Sequence, residues 1–323
     1  MDFVFGRDNL ALTVFVPWDC HNHCSFCTSK DSYRVNEPSL QNVKYQMRRF
    51  FRFYNFPVKD VVFTGGEPMM NIPALAELID FVPKDKRIFI NTTFIKETKR
   101  EFLDLVDKGR ISGVNISRHG ETYEEDCKMM CGIADDEEIL DINCSVRINC
   151  VLKGQCIGVL VERWRDKGVT INLREDYTLL VPRELHDPYR PVPMELFDIG
   201  YHFWKHTQCR VCDTTYFEPE DQELPTAMYH KGLQDSSILD GDVLEINDLI
   251  IDQTGALRYD WRQRDLETLE KLLTKHFNPS ACIRTENFRP SAMSSARSEY
   301  QGCGGGLTNI LGHGSPRGCG GGC

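Results

Sequence analysis

Apolar residues fall along this chain in two rhythms. Short unbroken runs of Val, Ile, Leu and Phe occur at 10–16, 60–64, 87–91, 113–117, 145–152 and 169–173. Runs of this length, rich in β-branched residues, read as buried strands. Between them, at 41–53, 73–81, 96–108 and 157–167, apolar residues recur every three or four positions, the period of a helix with one buried face. The stretch 121–141 is acidic, carries Cys127 and Cys131, and is expected to hold one short helix. Strands separated by helices imply right-handed crossovers and a parallel sheet, so the fold class is α/β, with six strand–helix repeats.

After Arg174 the alternation lapses. Residues 181–194 are proline-rich and read as an irregular crossing segment, followed by an expected helix at 194–206. Cys209-Arg-Val-Cys212 and a weakly periodic acidic stretch come next. Leu249-Ile-Ile251 and the segment 256–259 flank Asp252-Gln-Thr-Gly255, a plausible hairpin. A last amphipathic helix is expected at 265–276, and from Asn278 onward Ser, Gly and Arg dominate, a composition with little to bury. The chain thus divides into a core at 1–180, an extension at 181–277 and a Gly/Ser/Cys-rich tail at 278–323.

Composition narrows the function classes. The 323 residues are 41% hydrophobic and 27% charged, ordinary for a globular chain long enough to bury a large core. No apolar run reaches the length of a membrane span, and no basic segment leads into an apolar leader, so the expected setting is the cytoplasm. In that setting the 14 cysteines are metal ligands or inert thiols rather than disulfides. Cys144, Cys150 and Cys156 alternate with apolar residues and are expected to be buried and inert. A formal charge of −10 argues against general nucleic-acid binding. Lys44, Arg48 and Arg52, four apart on the first helix, form either a phosphate or acidic-partner contact or a solvated face opposite Tyr45, Phe51 and Phe53.

The chemistry begins at Cys20-His-Asn-His-Cys24-Ser-Phe26-Cys27, directly after the first strand. Three thiolates on one tight loop can hold three irons of a [4Fe-4S] cubane and leave the fourth open for reaction. Zinc is the alternative, with His21 or His23 completing a tetrahedron. The second strand runs into Gly65-Gly66-Glu67-Pro68. Glycines there let another group approach the backbone closely, and a carboxylate can accept from an ammonium. Both motifs stand at carboxyl ends of strands, where parallel α/β folds place reactive groups.

Together the two motifs resemble the radical SAM superfamily. The resemblance implies a partial (βα)6 TIM-like barrel with a C-terminal extension. It also implies a [4Fe-4S] cluster on Cys20, Cys24 and Cys27, with S-adenosylmethionine chelating the open iron. The strand end Gly65-Gly66-Glu67-Pro68 then receives the methionyl amino group. Phe26 matches the aromatic that flanks the adenine. Ser117 and Asn149 resemble positions that contact the cofactor, and Arg118 is a bidentate donor for the methionyl carboxylate. Asn91-Thr92-Thr93 and Arg174-Glu175, ending the third and sixth strands, are further polar candidates. An enzyme of this kind needs an external electron donor, flavodoxin- or ferredoxin-like, and abstracts hydrogen from a substrate, here a peptide or a small molecule. The hairpin near Asp252, with Cys209, Cys212, Cys282, Cys303, Cys319 and Cys323, is loosely similar to the auxiliary-cluster region of SPASM-type peptide maturases and of the molybdenum-cofactor cyclisation enzyme. Asp260-Trp261 stands where those relatives place cysteine, which weighs against an auxiliary Fe-S cluster.

Overall fold

The computed structural model describes residues 2–5, 10–17, 19–22, 24–27, 37–54, 56–176, 193–208, 212–232, 237–240, 243–259 and 261. Six parallel strands occupy the expected runs: β2 Leu10–Val16, β3 Val58–Gly65, β4 Arg87–Thr92, β5 Gly113–Ser117, β6 Ser145–Val151 and β7 Thr170–Arg174. They pair in that order, each with the next. The connecting helices are α1 Leu40–Phe53, α2 Ile72–Asp80, α3 Lys99–Val106, α4 Tyr123–Met129 and α5 Ile157–Glu162.

Strand side chains alternate between two faces, and the two faces differ in chemistry. Leu12, Val14, Val61, Phe63, Ile88, Ile90, Val114, Ile116, Ile148, Ile171 and Leu173 form the main core with Val43, Met47, Leu75, Leu78, Phe102, Leu160 and Trp164 from the helical side. On the other face only Ala11, Val62 and Phe89 make an apolar cluster. Above that small plug the same face turns polar: Asn91 pairs in register with Asn115 and Asn115 with Arg147, and one layer higher Ser117 pairs with Asn149 and Asn149 with Asn172. The polar layers lie toward the strands' carboxyl ends.

Beyond β7 the structure departs from expectation. The helix expected at 194–206 is a single turn, α6 Glu195–Asp198, and strand β8 Tyr201–Gln208 follows it. Gly200, at φ 85°, ends the turn, and the run of aromatic and β-branched residues in Tyr-His-Phe-Trp-Lys-His-Thr suits a pleated surface better than a helix. The stretch read as aperiodic contains β9 Cys212–Pro219 and β10 Thr226–Gly232. β10 adds to β7 in parallel, and β9 and β8 continue antiparallel, so the sheet runs on across residue 180 without a break. The expected hairpin is present: β13 Leu249–Ile251 pairs with β14 Leu257–Arg258 and also joins β2 in parallel. The result is an open eleven-stranded sheet with β14 and β8 at its ends. A separate three-stranded sheet contains β1 Asp2–Phe5, β11 Ser237–Asp240 and β12 Val243–Ile246.

Three smaller expectations change. The acidic stretch 121–141 holds a 3-10 turn at Glu138–Asp141 besides α4. Tyr45 and Phe53 are not opposite the basic residues of α1 but exposed beside them: Arg49 lies over the Tyr45 ring and Arg52 over Phe53. Val43, Gln46, Met47 and Phe50 form the buried face instead. Finally, Cys150 is buried as expected, but Cys144 is half-buried and Cys156 exposed at the start of α5. The 265–276 segment and the tail lie outside the described residues.

Candidate active site

The cysteine loop leaves β2 at the carboxyl end of the sheet and is held by neighbours on three sides. Cys27 N–H donates to Cys24 O (3.2 Å), closing a tight turn. The Gly-Gly turn lies against the loop's start: Glu67 N–H donates to Asp19 O (3.3 Å). A Cβ on Gly66 would stand 2.5 Å from Asp19 O and 2.9 Å from Cys20 Cβ, so only glycine allows this approach. Gly65, at φ 141°, is pressed closely on the Val16 backbone. On another side, residues after α4 are gripped by the loop: Asn22 Oδ1 accepts from Cys131 N–H (2.8 Å), and His21 Nε2 donates to Cys131 O (2.8 Å).

That grip bears on the choice of metal. With Nε2 on Cys131 and Nδ1 3.2 Å from Met70 Sδ, His21 has no ring nitrogen turned to the thiols, so it does not complete a zinc tetrahedron. His23 lies outside the described residues. Among the described residues no three His, Cys, Asp or Glu side chains gather tightly enough for one ion. Three thiolates on three separate irons of a cubane have no such need. Cys20, Cys24 and Cys27 are half-buried. Burial, aided by the nearby charge of Glu67, Cys27 and Cys24, pushes the Cys20 thiol up to about 12. An iron cation at the loop reverses that balance and holds the thiolates. Asn22 Nδ2, between the first two cysteines, is buried without a hydrogen bond, a donor suited to a cluster sulfur. The donor set and the orphaned amide fit an iron–sulfur group.

Glu67 is held by four donors of this chain. Its Oε1 accepts from Met69 N–H (3.0 Å) and Thr92 Oγ1 (2.5 Å), and its Oε2 from Thr93 N–H (2.7 Å) and Thr93 Oγ1 (2.8 Å). A carboxylate offers about four lone-pair directions, and four donors of this chain fill them. Buried Glu67 thus ties the turn after β3 to the end of β4. Pro68 opens the 3-10 turn Pro68–Asn71 that Glu67 caps. Glu67→Gln replaces two acceptor positions with donors aimed at Thr93 N–H or Met69 N–H. We expect a loss of about 1–3 kcal/mol in the unfolding free energy of the metal-free protein, measured by denaturant titration.

Arg118 is likewise tied to neighbouring carbonyls, with its Nε buried and without a hydrogen bond. Nη1 donates to Thr93 O and Ser117 O (both 2.8 Å) and Nη2 to Ala134 O (2.7 Å), while Nε lies 3.5 Å from Asp136 Oδ1. The side chain is almost wholly buried, and it clamps the ends of β4 and β5 to the loop after α4.

Phe26 is buried between two groups that sequence reasoning missed. The His119 ring meets it edge-on at 4.5 Å, and Lys153 Nζ sits 4.6 Å from its centroid. Lys153 also donates to Ser25 Oγ (2.8 Å) and lies 3.6 Å from Asp176 Oδ2. His119 Nδ1 accepts from Val151 N–H (3.1 Å). Burial, with Arg118, Lys153 and Arg174 nearby, lowers its pKa to about 3, so the ring is neutral. No spacing in the sequence links 26, 119 and 153; only the packing of three strand ends brings them together.

The polar layers open beside this loop. Asn149 Oδ1 accepts from Asn172 Nδ2 (2.8 Å), which leaves the Asn149 amino group facing away from Asn172. Asn172 Oδ1 is buried without a hydrogen bond. Ser117 pairs in register beside Asn149. Farther along, Arg174 pairs in register with His230, whose Nδ1 lies 3.2 Å from Thr214 Oγ1, and Glu175 Oε1 accepts from Tyr229 OH (3.2 Å). Of the remaining cysteine candidates, buried Cys212 starts β9, and Cys209, Cys282, Cys303, Cys319 and Cys323 lie outside the described residues.

A parallel sheet gathers a three-thiol loop, a Gly-Gly turn and buried amide layers at its strand ends, an α/β arrangement suited to a metal cluster with an organic cofactor beside it. Residues 19–143 match the model of the Radical SAM superfamily. Within that stretch the chain is similar to the radical SAM superfamily, a family that implies a [4Fe-4S] cluster and S-adenosylmethionine. Among solved structures it is similar to a histidine-tagged anSMEcpe with bound AdoMet (TM-score 0.41, 15% identity, 58% of this chain and 56% of that chain). It is also similar to native anSMEcpe with bound AdoMet and the Cp18Cys peptide (TM-score 0.39, 16% identity, 56% and 54%). The match thus spans little more than half the length of either protein. No curated protein matches the chain. Among the described residues no helix is long and apolar enough to cross a membrane.

Proposed function

We propose that Cys20, Cys24 and Cys27 hold the cluster and that the amide layers beside them, with Asn149 and Ser117 foremost, receive S-adenosylmethionine. The observation that carries this reading is the contact of the Gly65–Gly66 turn with the cysteine loop, a fit that only glycine permits. When bound, the pair supplies one chemistry: one-electron cleavage of the sulfonium to a 5′-deoxyadenosyl radical that removes hydrogen from a substrate. The chain's own residues do the positioning. Glu67 and Arg118 fix the strand ends, His21 and Asn22 anchor the loop to Cys131, and Phe26 seals it against His119 and Lys153. The electron comes from an external flavodoxin- or ferredoxin-like donor.

The substrate in this proposal is a peptide. The support is the sheet itself: after β7 it continues through β10 and β9 to the edge strand β8, which exposes Phe203 and Trp204, a surface suited to an extended chain. A small molecule is the alternative reading.

The test is anaerobic reconstitution of wild type and Cys24→Ala, with iron, sulfide and zinc analysis and an assay of reductive cleavage. Wild type is expected to hold about four irons and four sulfides at the loop and to release 5′-deoxyadenosine, and Cys24→Ala to lose about 99% or more of that release. Zinc without sulfide in the wild type overturns the reading.

A further inference from the structure

The lower polar layer has a fixed direction. Arg147 Nε lies 3.0 Å from one terminal atom of the Asn115 amide. A guanidinium can only donate, so that atom is the carbonyl oxygen. The other terminal atom of Asn115 is then its amino group, and it lies 2.6 Å from the Asn91 side chain. Asn91 must present an oxygen there. Its own amino group is thereby turned away from Asn115, and Asn91 makes no other side-chain hydrogen bond among the described residues. The usual ambiguity of asparagine orientation does not arise, because the obligate donor at one end settles both amides.

The place where this donor emerges is informative. Asn91 stands directly above the Ala11–Val62–Phe89 plug. It immediately precedes Thr92 and Thr93, the two residues bound to Glu67. It is thus on the floor of the region flanked by the Gly-Gly turn on one side and by Ser117 and Asn149 on the other. The Asn91 amino group is not among the wholly buried unpartnered atoms, so it opens to the cleft, where a ligand oxygen can accept from it.

We propose that Arg147 and Asn115 are positioning residues which orient the Asn91 amino group to donate to an oxygen of bound S-adenosylmethionine. The inference rests on the reading of this cleft as the cofactor pocket. It adds what that reading lacks: a residue on β6, pointed toward β5, that sets the hydrogen-bonding sign of a residue on β4.

Asn115→Asp tests it with almost no change in shape. The introduced carboxylate accepts from Arg147 as before, but it also accepts where the Asn115 amino group donated. Asn91 must then turn its amino group to that carboxylate and present its carbonyl to the cleft. The contact with Arg147 becomes charge-assisted, so thermal stability is expected to be kept or raised. Affinity for S-adenosylhomocysteine, measured calorimetrically on the cluster-loaded protein, is expected to fall about tenfold or more. A residue with a merely structural role predicts no such divergence between stability and affinity. Unchanged affinity in a stably folded Asn115→Asp overturns the proposal.

If that variant melts lower, Arg147→Met and Arg147→Lys carry the test. Methionine removes the obligate donor, and roughly fivefold weaker binding is expected. Lysine restores a donor and should bring affinity back to within about twofold of wild type. Equal affinity in Arg147→Met and wild type overturns the relay. Wild-type protein that fails to bind S-adenosylhomocysteine overturns the pocket assignment and the relay with it. Normal wild-type binding with unaffected variants removes the relay alone.

Discussion

Replacing Gly66 with alanine is expected to leave a folded protein that no longer holds its cluster properly. The new Cβ would lie 2.5 Å from Asp19 O, 2.6 Å from Asp19 C and 2.9 Å from Cys20 Cβ. Two of those three atoms are backbone, so no side-chain rotation relieves the contact. The turn after β3 and the cysteine loop must move apart, and the thiol of Cys20 moves with its backbone. Overpacking of this kind costs about 1–3 kcal/mol, which a chain with so large a core can absorb. Catalysis is less tolerant, because a displacement near 1 Å at a reacting centre costs on the order of a hundredfold. We therefore expect iron and sulfide content to fall and 5′-deoxyadenosine release to drop about a hundredfold or more. Gly109→Ala is the control. No atom lies within 4 Å of its would-be Cβ, and its φ of 74° brings only local strain far from the loop. Metal content should be unchanged there. A Gly66→Ala protein that loads iron and reacts like wild type would show that the two motifs do not depend on each other.

The largest effect on stability is expected at Arg163. Its Nη1 donates to Asp126 Oδ2 (2.7 Å), and its Nε and Nη2 donate to the two oxygens of Asp136 (2.6 and 2.9 Å). Asp126 has no solvent exposure, and its other oxygen accepts from His119 N–H and Gly120 N–H. Burial already raises the Asp126 carboxyl above its ordinary range, with Arg163 holding it down. Removing one partner of a buried pair leaves an uncompensated charge. Arg163→Leu is accordingly expected to lower the unfolding free energy by about 3–5 kcal/mol. Asp126→Asn, which leaves Arg163 its Asp136 contact, should cost less, about 1–3 kcal/mol. Chemical denaturation of the two variants gives the comparison. The order matters for the site as well, since Asp126 lies within α4 and the helix leads to the Cys131 backbone gripped by the cysteine loop. A loss below about 1 kcal/mol in Arg163→Leu would mean that water solvates Asp126.

The six core strands were legible because each is a run of apolar residues that must be buried on both sides or on one, and such runs have few other uses. Boundaries at β2 and β5 agree to the residue. Beyond Arg174 the reading failed at β8, where alternating aromatic and polar side chains on an edge strand carry a pattern weaker than the helix it was mistaken for. Strand β10 escaped notice for a related reason. Its alternation of Tyr229, His230 and Lys231 lacks the apolar density of the core strands, and its place in the sheet comes from pairing with β7, more than fifty residues earlier. The hairpin near Asp252 was readable from its turn residues, but its addition to β2 was not.

At the site, the sequence by itself determined the reagents. Three cysteines at close spacing and a Gly-Gly turn after a strand are local patterns, and local patterns survive in one dimension. What each side chain does was decided only by the tertiary structure. Glu67 and Arg118 carry charges suited to a ligand, and the packed chain also sets four donors on the one and three carbonyls on the other. Asn91, without charge, is left with an amino group to offer, because Arg147 fixes through Asn115 which way its amide turns. The physical reason is the same in each case. Hydrogen-bonding capacity is finite, and only the packed chain shows how much of it remains for a ligand.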